Sequence, residues 1–378
     1  MPFTTKLRHI LLAGKTALSR ITFRVAKSLN LIKKVIIIPY KGFGNQQGIY
    51  FIGRVIKDKG IIPAGEEDSM WQNFRFMYKR FSSFEITGVA VKATFYGTEK
   101  IIITDDEGYF EFHLQPKETI PAGESWHETT LELLTQVVPN QGKVTAKGRI
   151  FIPESHVEYG IISDIDDTIL STDAARWWKM LKVTFVNNAR TRMPFAGVSA
   201  FYRALQQGAT GEGMNPFFYV SSSPWNLYDL LVEFLDLNKI PKGPLMLRDL
   251  GISRDYLVAG DHATHKLKQI EHIFSIYPEL TFILIGDSGQ QDPEIYLQVI
   301  KEFQDRVKTI YIRNVSNMAR QQQIATIAGE IKALGVDLLL VKDTVEAAVH
   351  AAKHKLIIFE EIASIEVEKE LDNIKDTA

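Results

Sequence analysis

Tyr159-Gly-Ile-Ile-Ser-Asp-Ile-Asp-Asp-Thr-Ile-Leu170 is the stretch on which the fold of this chain turns. Apolar Ile161 and Ile162 run into three carboxylates and a threonine within five residues, Asp164, Asp166, Asp167 and Thr168, before Ile169 and Leu170 restore the apolar character. The pattern reads as a buried strand with acid at its C-terminal end, which in a parallel α/β sheet is where ligands bind. Carboxylates two residues apart in a dry site repel one another unless a cation lies between them. A hard divalent ion such as Mg²⁺, which takes oxygen ligands and works beside phosphate, meets that need. Taken alone, Asp-x-Asp is more often an acidic turn after a core strand, so the segments around it carry the decision.

Downstream, short apolar runs and helical periodicities alternate. Strands are predicted at Tyr159–Ser163, Pro216–Ser221, Pro244–Leu247, Thr281–Gly286, Val307–Ile312 and Val336–Val341. Helices are predicted between them at Val198–Gln207, Pro224–Leu237, His265–Ile276, Pro293–Phe303 and Met318–Leu334, and after them at Thr344–Lys355. Strict alternation implies right-handed crossovers and a doubly wound parallel sheet. Residues 358–378 are Glu-rich and read as a solvated helix or frayed acidic tail.

Three further strand ends carry reactive groups. Phe217-Phe-Tyr-Val-Ser-Ser-Ser-Pro224 stops at hydroxyls, with Ser223 expected as a helix N-cap and Pro224 as the first helical residue. Hydroxyls and free N–H groups at such a place hold an anion, although Ser-Ser-Ser-Pro is also an ordinary cap. His265-Lys266 opens the predicted helix before the fourth strand, where a lysine supplies a point charge for phosphate or simply a solvated surface residue. Ile285-Gly-Asp-Ser-Gly-Gln-Gln-Asp292 again runs a strand into acid, with Asp287 and Asp292 across a glycine turn and Asp292 placed to cap the next helix.

Together these four segments resemble the haloacid dehalogenase-like phosphatase superfamily, and more closely its actin-patch-associated phosphatidate phosphatase family, bacterial homologues included, which is related to lipins in its catalytic part. The resemblance covers about residues 159–355. It implies that Asp164 is the nucleophile, forming an aspartyl-phosphate, and that Asp166 is the general acid and base. It implies one Mg²⁺ among the Asp164 carboxylate, the main-chain carbonyl of Asp166 and Asp287, with Asp292 orienting that set. Ser221 and Lys266 would grip the phosphoryl oxygens, and Thr168 would brace the loop. Ser222, Arg248 and Arg313, also near strand ends, are expected phosphate or headgroup contacts. The activity so implied is hydrolysis of a phosphomonoester lipid, most simply phosphatidate to diacylglycerol. A soluble phosphomonoester, or a non-catalytic phosphatidate-binding module, are the rival readings. The presence of both Asp164 and Asp166 argues against the second of these.

Between the first and second motifs the sequence from Ala174 to Thr210 holds six Lys and Arg, no acid, and the pair Trp177-Trp178. Members of the superfamily carry a cap there, so an insert at 171–195 is expected to touch a lipid interface; a basic helix with two core tryptophans is the plainer alternative.

The preceding half of the chain has a different period. Strands are predicted at Val35–Pro39, Gly48–Val55, Phe84–Phe95, Lys100–Thr104, Tyr109–Leu114 and Lys143–Pro153, a small antiparallel β-sandwich over residues 36–153. Thr104-Asp-Asp-Glu-Gly-Tyr-Phe110 reads as a hairpin turn with Gly108 at positive φ rather than a Ca²⁺ loop.

Residues 1–57 contain eleven Lys and Arg and no acid, so a net charge of -1 leaves about -12 on the remainder. Over Lys6–Lys34 the apolar residues fall mainly on one helical face and the basic ones elsewhere, a basic amphipathic helix assigned to residues 1–35. Such a helix binds an anionic membrane surface, packs on its own protein, or serves as a transit peptide. Its apolar stripe makes membrane a better use of the charge than nucleic acid, which is not expected as a partner. No apolar run is long enough to span a bilayer, and the chain has no cysteine, which removes disulfides and thiolate chemistry and fits a cytoplasmic, peripheral membrane protein.

Overall fold

The computed structural model describes residues 32–58, 86–154, 156–165, 196–248 and 262–377. The amphipathic segment up to residue 31, the insert 171–195, and Asp166, Asp167 and Thr168 lie outside the described residues. The chain divides into two compact units, one built chiefly on residues before Pro153 and the other on residues from Pro153 onward.

The first unit holds eight strands: β1 (Val35–Pro39), β2 (Gly42–Gly44), β3 (Ile49–Lys57), β4 (Ala90–Phe95), β5 (Thr98–Ile103), β6 (Tyr109–Leu114), β7 (Trp126–Leu133) and β8 (Thr145–Phe151). They pair in the order β1-β3-β2-β8-β7-β4-β5, with β6 on β3. All pairings are antiparallel except β2 with β8. The inward residues are aliphatic and aromatic; Phe51, Phe112, Val91, Leu131 and Ile150 are almost fully buried in one core.

Two strands are absent from the sequence reading. β2 is only three residues of Gly and Phe, too short for a period to show. β7 does alternate, with His127, Thr129, Leu131 and Leu133 inward, but two of those four are polar and Glu128, Thr130 and Glu132 face outward, which disguises it. Conversely, Ile86–Val89, assigned to a strand by its composition, is a bend around Gly88 at φ 66°. Ile32–Lys34, assigned to the basic helix, is not helical, and Ile32 is buried in the β core. The 104–110 turn is as read: Gly108 has φ 81°. The Asp105 carboxylate accepts the N–H groups of Glu107 (2.9 Å) and Tyr109 (2.8 Å), a local turn bond that needs no cation.

The second unit is an α/β fold. Its strands are β9 (Gly160–Asp164), β10 (Phe217–Pro224), β11 (Leu245–Arg248), β12 (Phe282–Asp287), β13 (Val307–Arg313) and β14 (Asp337–Val341). Its helices are α1 (Val198–Gln207), α2 (Tyr228–Leu237), α3 (His262–Ile276), α4 (Asp292–Phe303), α5 (Met318–Ala333), α6 (Thr344–Lys353) and α7 (Glu361–Thr377). The sheet is wholly parallel in the order β11-β10-β9-β12-β13-β14. The chain therefore lays down β9, β10 and β11 outward on one side, then returns to place β12 against β9 and continues the other way. That reversal opens a crevice above the C-terminal ends of β9 and β12, the place where open parallel sheets bind ligands. β10 and β12 are buried along their whole length, as central parallel strands require.

Three local readings are corrected. The second strand continues through the serines to Pro224, whose register partner is Arg248 of β11, and a 3₁₀ turn at Trp225–Leu227 precedes α2; sheet pairing outcompetes the cap assigned to Ser223. α3 begins at His262, so Lys266 sits in its second turn rather than at its opening. The acidic tail is a docked helix: Ile365 is fully buried, Arg203 pairs with Glu368, and Lys369 reaches Asp343 at 2.7 Å.

Phe112 is fully buried, stacked on Phe51 at 5.3 Å and edge-on to Phe110 at 5.5 Å. Phe112→Ala is expected to destabilise the β unit by about 3–5 kcal/mol, measured by denaturant unfolding; a loss below ~1 kcal/mol would contradict this core assignment.

Candidate active site

Asp164 ends β9, and its neighbours are fixed by register: Val220 of β10 lies beside Asp164 on one flank, and Ile285 of β12 lies beside Ser163 on the other. Ser221 and Gly286–Asp287 thus follow directly at the same edge of the sheet. α4 then brings Asp292 back over the end of β12. One carboxylate oxygen from each of Asp164, Asp287 and Asp292 falls within 4.8 Å of the other two.

The three acids are held differently. Asp287 Oδ1 accepts the N–H groups of Gly289 (2.7 Å) and Gln290 (3.0 Å), which fixes the turn after β12. Asp292, assigned from sequence as a helix cap, instead turns its Oδ2 to the Asp287 N–H at 3.1 Å and its Oδ1 to Lys266 Nζ at 2.7 Å. Asp164 Oδ1 lies 2.9 Å from the same ammonium, and both side chains of that pair are almost completely buried. Lys266 Nζ also reaches Gln290 Oε1 at 3.2 Å.

Burial raises the Asp164 pKa well above the usual carboxylate range, and nearby Asp292 adds to it. Burial likewise raises Asp292, against the pull of Lys266. Burial alone would lower the Lys266 pKa, but Asp164 and Asp292 overcome it and hold the lysine charged. With all acids ionised, one ammonium faces three carboxylates, leaving a local charge of about -2 in a site closed to water. An all-oxygen donor set with that excess fits a hard divalent ion and does not fit a thiolate- or imidazole-seeking one.

Packing makes the cluster possible at Gly286. A Cβ there would lie 2.5 Å from Asp292 Oδ2 and 2.8 Å from Asp292 Cβ, so any side chain would drive Asp292 away from Lys266. Behind Asp164, Ser163 Oγ and the Tyr202 hydroxyl are 2.8 Å apart. Burial, with Asp164 adding to it, pushes Tyr202 up to about 12, so it remains a neutral donor.

Of the other sequence-predicted residues, Ser221 is fully buried and its Oγ accepts the Ser223 N–H at 3.0 Å. Ser222 Oγ is buried and makes no hydrogen bond among the described residues. Arg313 ends β13 as the register partner of Asp287, which puts it next to the acids. Arg248 is paired in register with Pro224, further along β10 than the level of Asp164.

The sequence reading missed Arg320. From the first turn of α5 its guanidinium donates to the carbonyls of Ser288 (3.2 Å) and Gln290 (2.7 Å) while pairing with Glu294, so it clamps the turn that carries Asp287. Tyr202 was also missed, and so was the contact of Gln290, which lies within the fourth motif; Arg320 and Tyr202 belong to no local motif.

This geometry has relatives. Residues 159–314 match the family model described as Phosphatidate phosphatase APP1, catalytic domain. The match opens at β9 and closes just past Arg313, enclosing Asp164, Ser221, Lys266, Asp287 and Asp292. The chain is 33% identical over 159 residues to Phosphatidate phosphatase APP1 of Saccharomyces cerevisiae, covering 42% of this chain and 26% of the yeast protein. It is 29% identical over 157 residues to uncharacterized protein C29B5.04c of Schizosaccharomyces pombe, covering 41% of this chain and 25% of that one. The APP1-type match thus spans about a quarter of the length of these relatives. Among solved structures, carbohydrate acetylesterase XAC1771 of Xanthomonas citri aligns over 78% of this chain and 72% of its own at 9% identity and a TM-score of 0.23, which carries no fold argument.

Two outcomes test the site. Gly286→Ala is expected to weaken divalent-ion binding by roughly 10–100-fold, read by calorimetric titration with Mg²⁺; unchanged affinity would show that Asp292 does not depend on the missing side chain. Folded-state pKa values of Asp164 and Asp292 stand above their unfolded values, so their contribution in metal-free protein is full below the unfolded carboxylate range and lost as pH rises through the folded values. In EDTA, Asp164→Asn is therefore expected to gain thermal stability relative to wild type as pH rises from about 5 to 8, and a pH-independent offset would contradict it.

Proposed function

We propose that this chain is a Mg²⁺-dependent phosphatase of the haloacid dehalogenase-like type that hydrolyses phosphatidate to diacylglycerol and phosphate at a cytoplasmic membrane surface. The observation that carries the reading is the convergence of Asp164, Asp287, Asp292 and Lys266 from three separate segments onto one buried point at the switch of a parallel sheet. The match to an APP1 catalytic domain supports phosphatidate as the substrate. The strand order, and two groups of helices that pack among themselves, α3 with α4 and α5, α1 with α6 and α7, support a doubly wound sheet. The single core shared by seven of the eight strands of the first unit, all but the three-residue β2, supports the sandwich reading.

In this mechanism a carboxylate oxygen of Asp164 attacks phosphorus and the bond to the glycerol oxygen breaks. Asp166 gives its proton to the departing alkoxide, then takes one from the water that attacks the aspartyl-phosphate, returning Asp164 to its starting state. Lys266 and Ser221 bind the non-bridging oxygens, Ser222 and Arg313 are assigned as further phosphate contacts, and Thr168 braces the loop. Arg248 is assigned to the headgroup. Asp164, Asp287 and the main chain of Asp166, with Asp292 orienting them, would hold Mg²⁺, which when bound would supply positive charge opposite the phosphoryl group. Asp287 and Asp292 by themselves favour the protonated nucleophile, whereas Lys266, 2.9 Å from Asp164, and the ion that these acids would hold favour its ionised form.

No helix among the described residues is long and apolar enough to cross a membrane. Membrane residence is assigned to the basic segment 1–34 and to the Trp-rich insert 171–195.

Purified protein is expected to release phosphate from phosphatidate vesicles with Mg²⁺ and not with EDTA, and Asp164→Asn to lose roughly 10³-fold or more of that rate. Turnover confined to soluble phosphomonoesters would overturn the lipid assignment and leave the chemistry standing. Removing residues 1–31 should cut turnover on vesicles while sparing a short-chain soluble phosphatidate; equal turnover on vesicles would refute the membrane role of that segment.

A further inference from the structure

A second group of ligating side chains lies away from the carboxylate cluster. Asp337 opens β14, and His350 and His354 stand one turn apart at the end of α6, the helix that follows it. A ring nitrogen of each histidine and a carboxylate oxygen of Asp337 lie within 4.8 Å of one another. The two imidazoles are stacked, with centroids 4.1 Å apart and planes inclined by 29°, so their edges run side by side.

Register separates this group from the active site. Asp337 is level with Thr309, Thr309 with Ile283, and Ile283 with Ile161, three residues before Asp164 and three strands away. At about 4.8 Å between strands and about 3.3 Å per residue, the two groups are roughly 17 Å apart.

The surroundings are those of a ligand site. Tyr311 Oη lies 3.0 Å from His350 Nδ1. With the proton on Nδ1, the hydroxyl accepts it and the lone pair on Nε2 is left for an ion, the outer contact that metal-binding histidines use to fix their tautomer. Thr309 Oγ1 donates to the Asp337 carbonyl at 3.0 Å and pins that backbone. The nearest cation, Lys332, stands 3.9 Å from Asp337 Oδ1 with a side chain 79% exposed, a loose partner that a divalent ion displaces.

We propose that Asp337, His350 and His354 bind a borderline transition-metal ion, Zn²⁺ being the representative case, with water completing the coordination. Two imidazoles and one carboxylate select zinc, cobalt or nickel over Mg²⁺, whereas the all-oxygen cluster at Asp164 has the reverse preference. Ligand atoms around tetrahedral zinc stand about 3.3 Å apart. Closing to that spacing takes a side-chain rotation, which the exposed ring of His354 permits. The ion would join the start of β14 to the end of α6, and so staple the last βα unit of the sheet.

The test is a calorimetric Zn²⁺ titration of the full-length, tag-free protein in excess Mg²⁺, which keeps the carboxylate cluster filled. One Zn²⁺ per chain is expected, with a rise in thermal midpoint of roughly 5 °C at saturation. His354→Ala and Asp337→Asn, at surface positions, should each weaken binding at least tenfold and abolish the thermal shift, and Tyr311→Phe should weaken it roughly tenfold. Variants that bind zinc as the wild type does would overturn the proposal. So would an absence of stoichiometric uptake, or uptake abolished by Asp164→Asn instead.

Discussion

Three carboxylates gather beside one buried ammonium, and the candidate site is arranged around that imbalance. Asp164, Asp287 and Asp292 meet at one point, and Lys266 compensates only one of their charges. Removing the remaining two negative charges from water costs several kcal/mol per ion unless a cation answers them. Under the proposed function the counter-charge would come from outside as a divalent ion, and the charge on Asp164 would be used in attack on a phosphoryl group. The raised Asp164 and Asp292 pKa values express the same imbalance from the side of the proton.

The scaffold serves to hold like charges together. Asp164 and Asp287 end the buried strands β9 and β12, and Asp292 opens α4, whose first residues Asp292 and Pro293 are buried. Backbone N–H groups satisfy Asp287, Lys266 spans Asp164 and Asp292, and Arg320 ties down the connecting turn. Gly286 admits Asp292 because it has no side chain to oppose it. Thus an arginine and a glycine outside the acid cluster determine where Asp287 and Asp292 stand.

The separation of donor types is a second organising feature. Oxygen ligands collect at the C-terminal ends of β9 and β12, while imidazole collects near the start of β14 and the end of α6. Both follow from the parallel sheet, since every strand presents one end to each rim and each returning helix delivers its last turn to the rim where strands begin.

The order of elements in the second unit was legible because helical and strand periods differ and each strand ended in a distinctive polar group. All six strands and all six alternating helices were read within a few residues of their observed ends. The reading failed where tertiary pairing overrode local preference. Pro224 stayed in a strand because β11 pairs beside it, β7 hid behind inward His127 and Thr129, and Asp292 gave up capping to reach Lys266. Residue types and their intervals by themselves determined the alternating fold, the acids and the lysine, because hydrophobic period and strand-end chemistry are local properties of a chain. Only the tertiary structure decided that Asp164 stands beside Asp292, that Arg320 clamps the turn before Asp292, and that Asp337 meets His350 and His354, because those contacts join residues 13 to 128 positions apart, whose approach is set by strand order rather than by any neighbouring sequence.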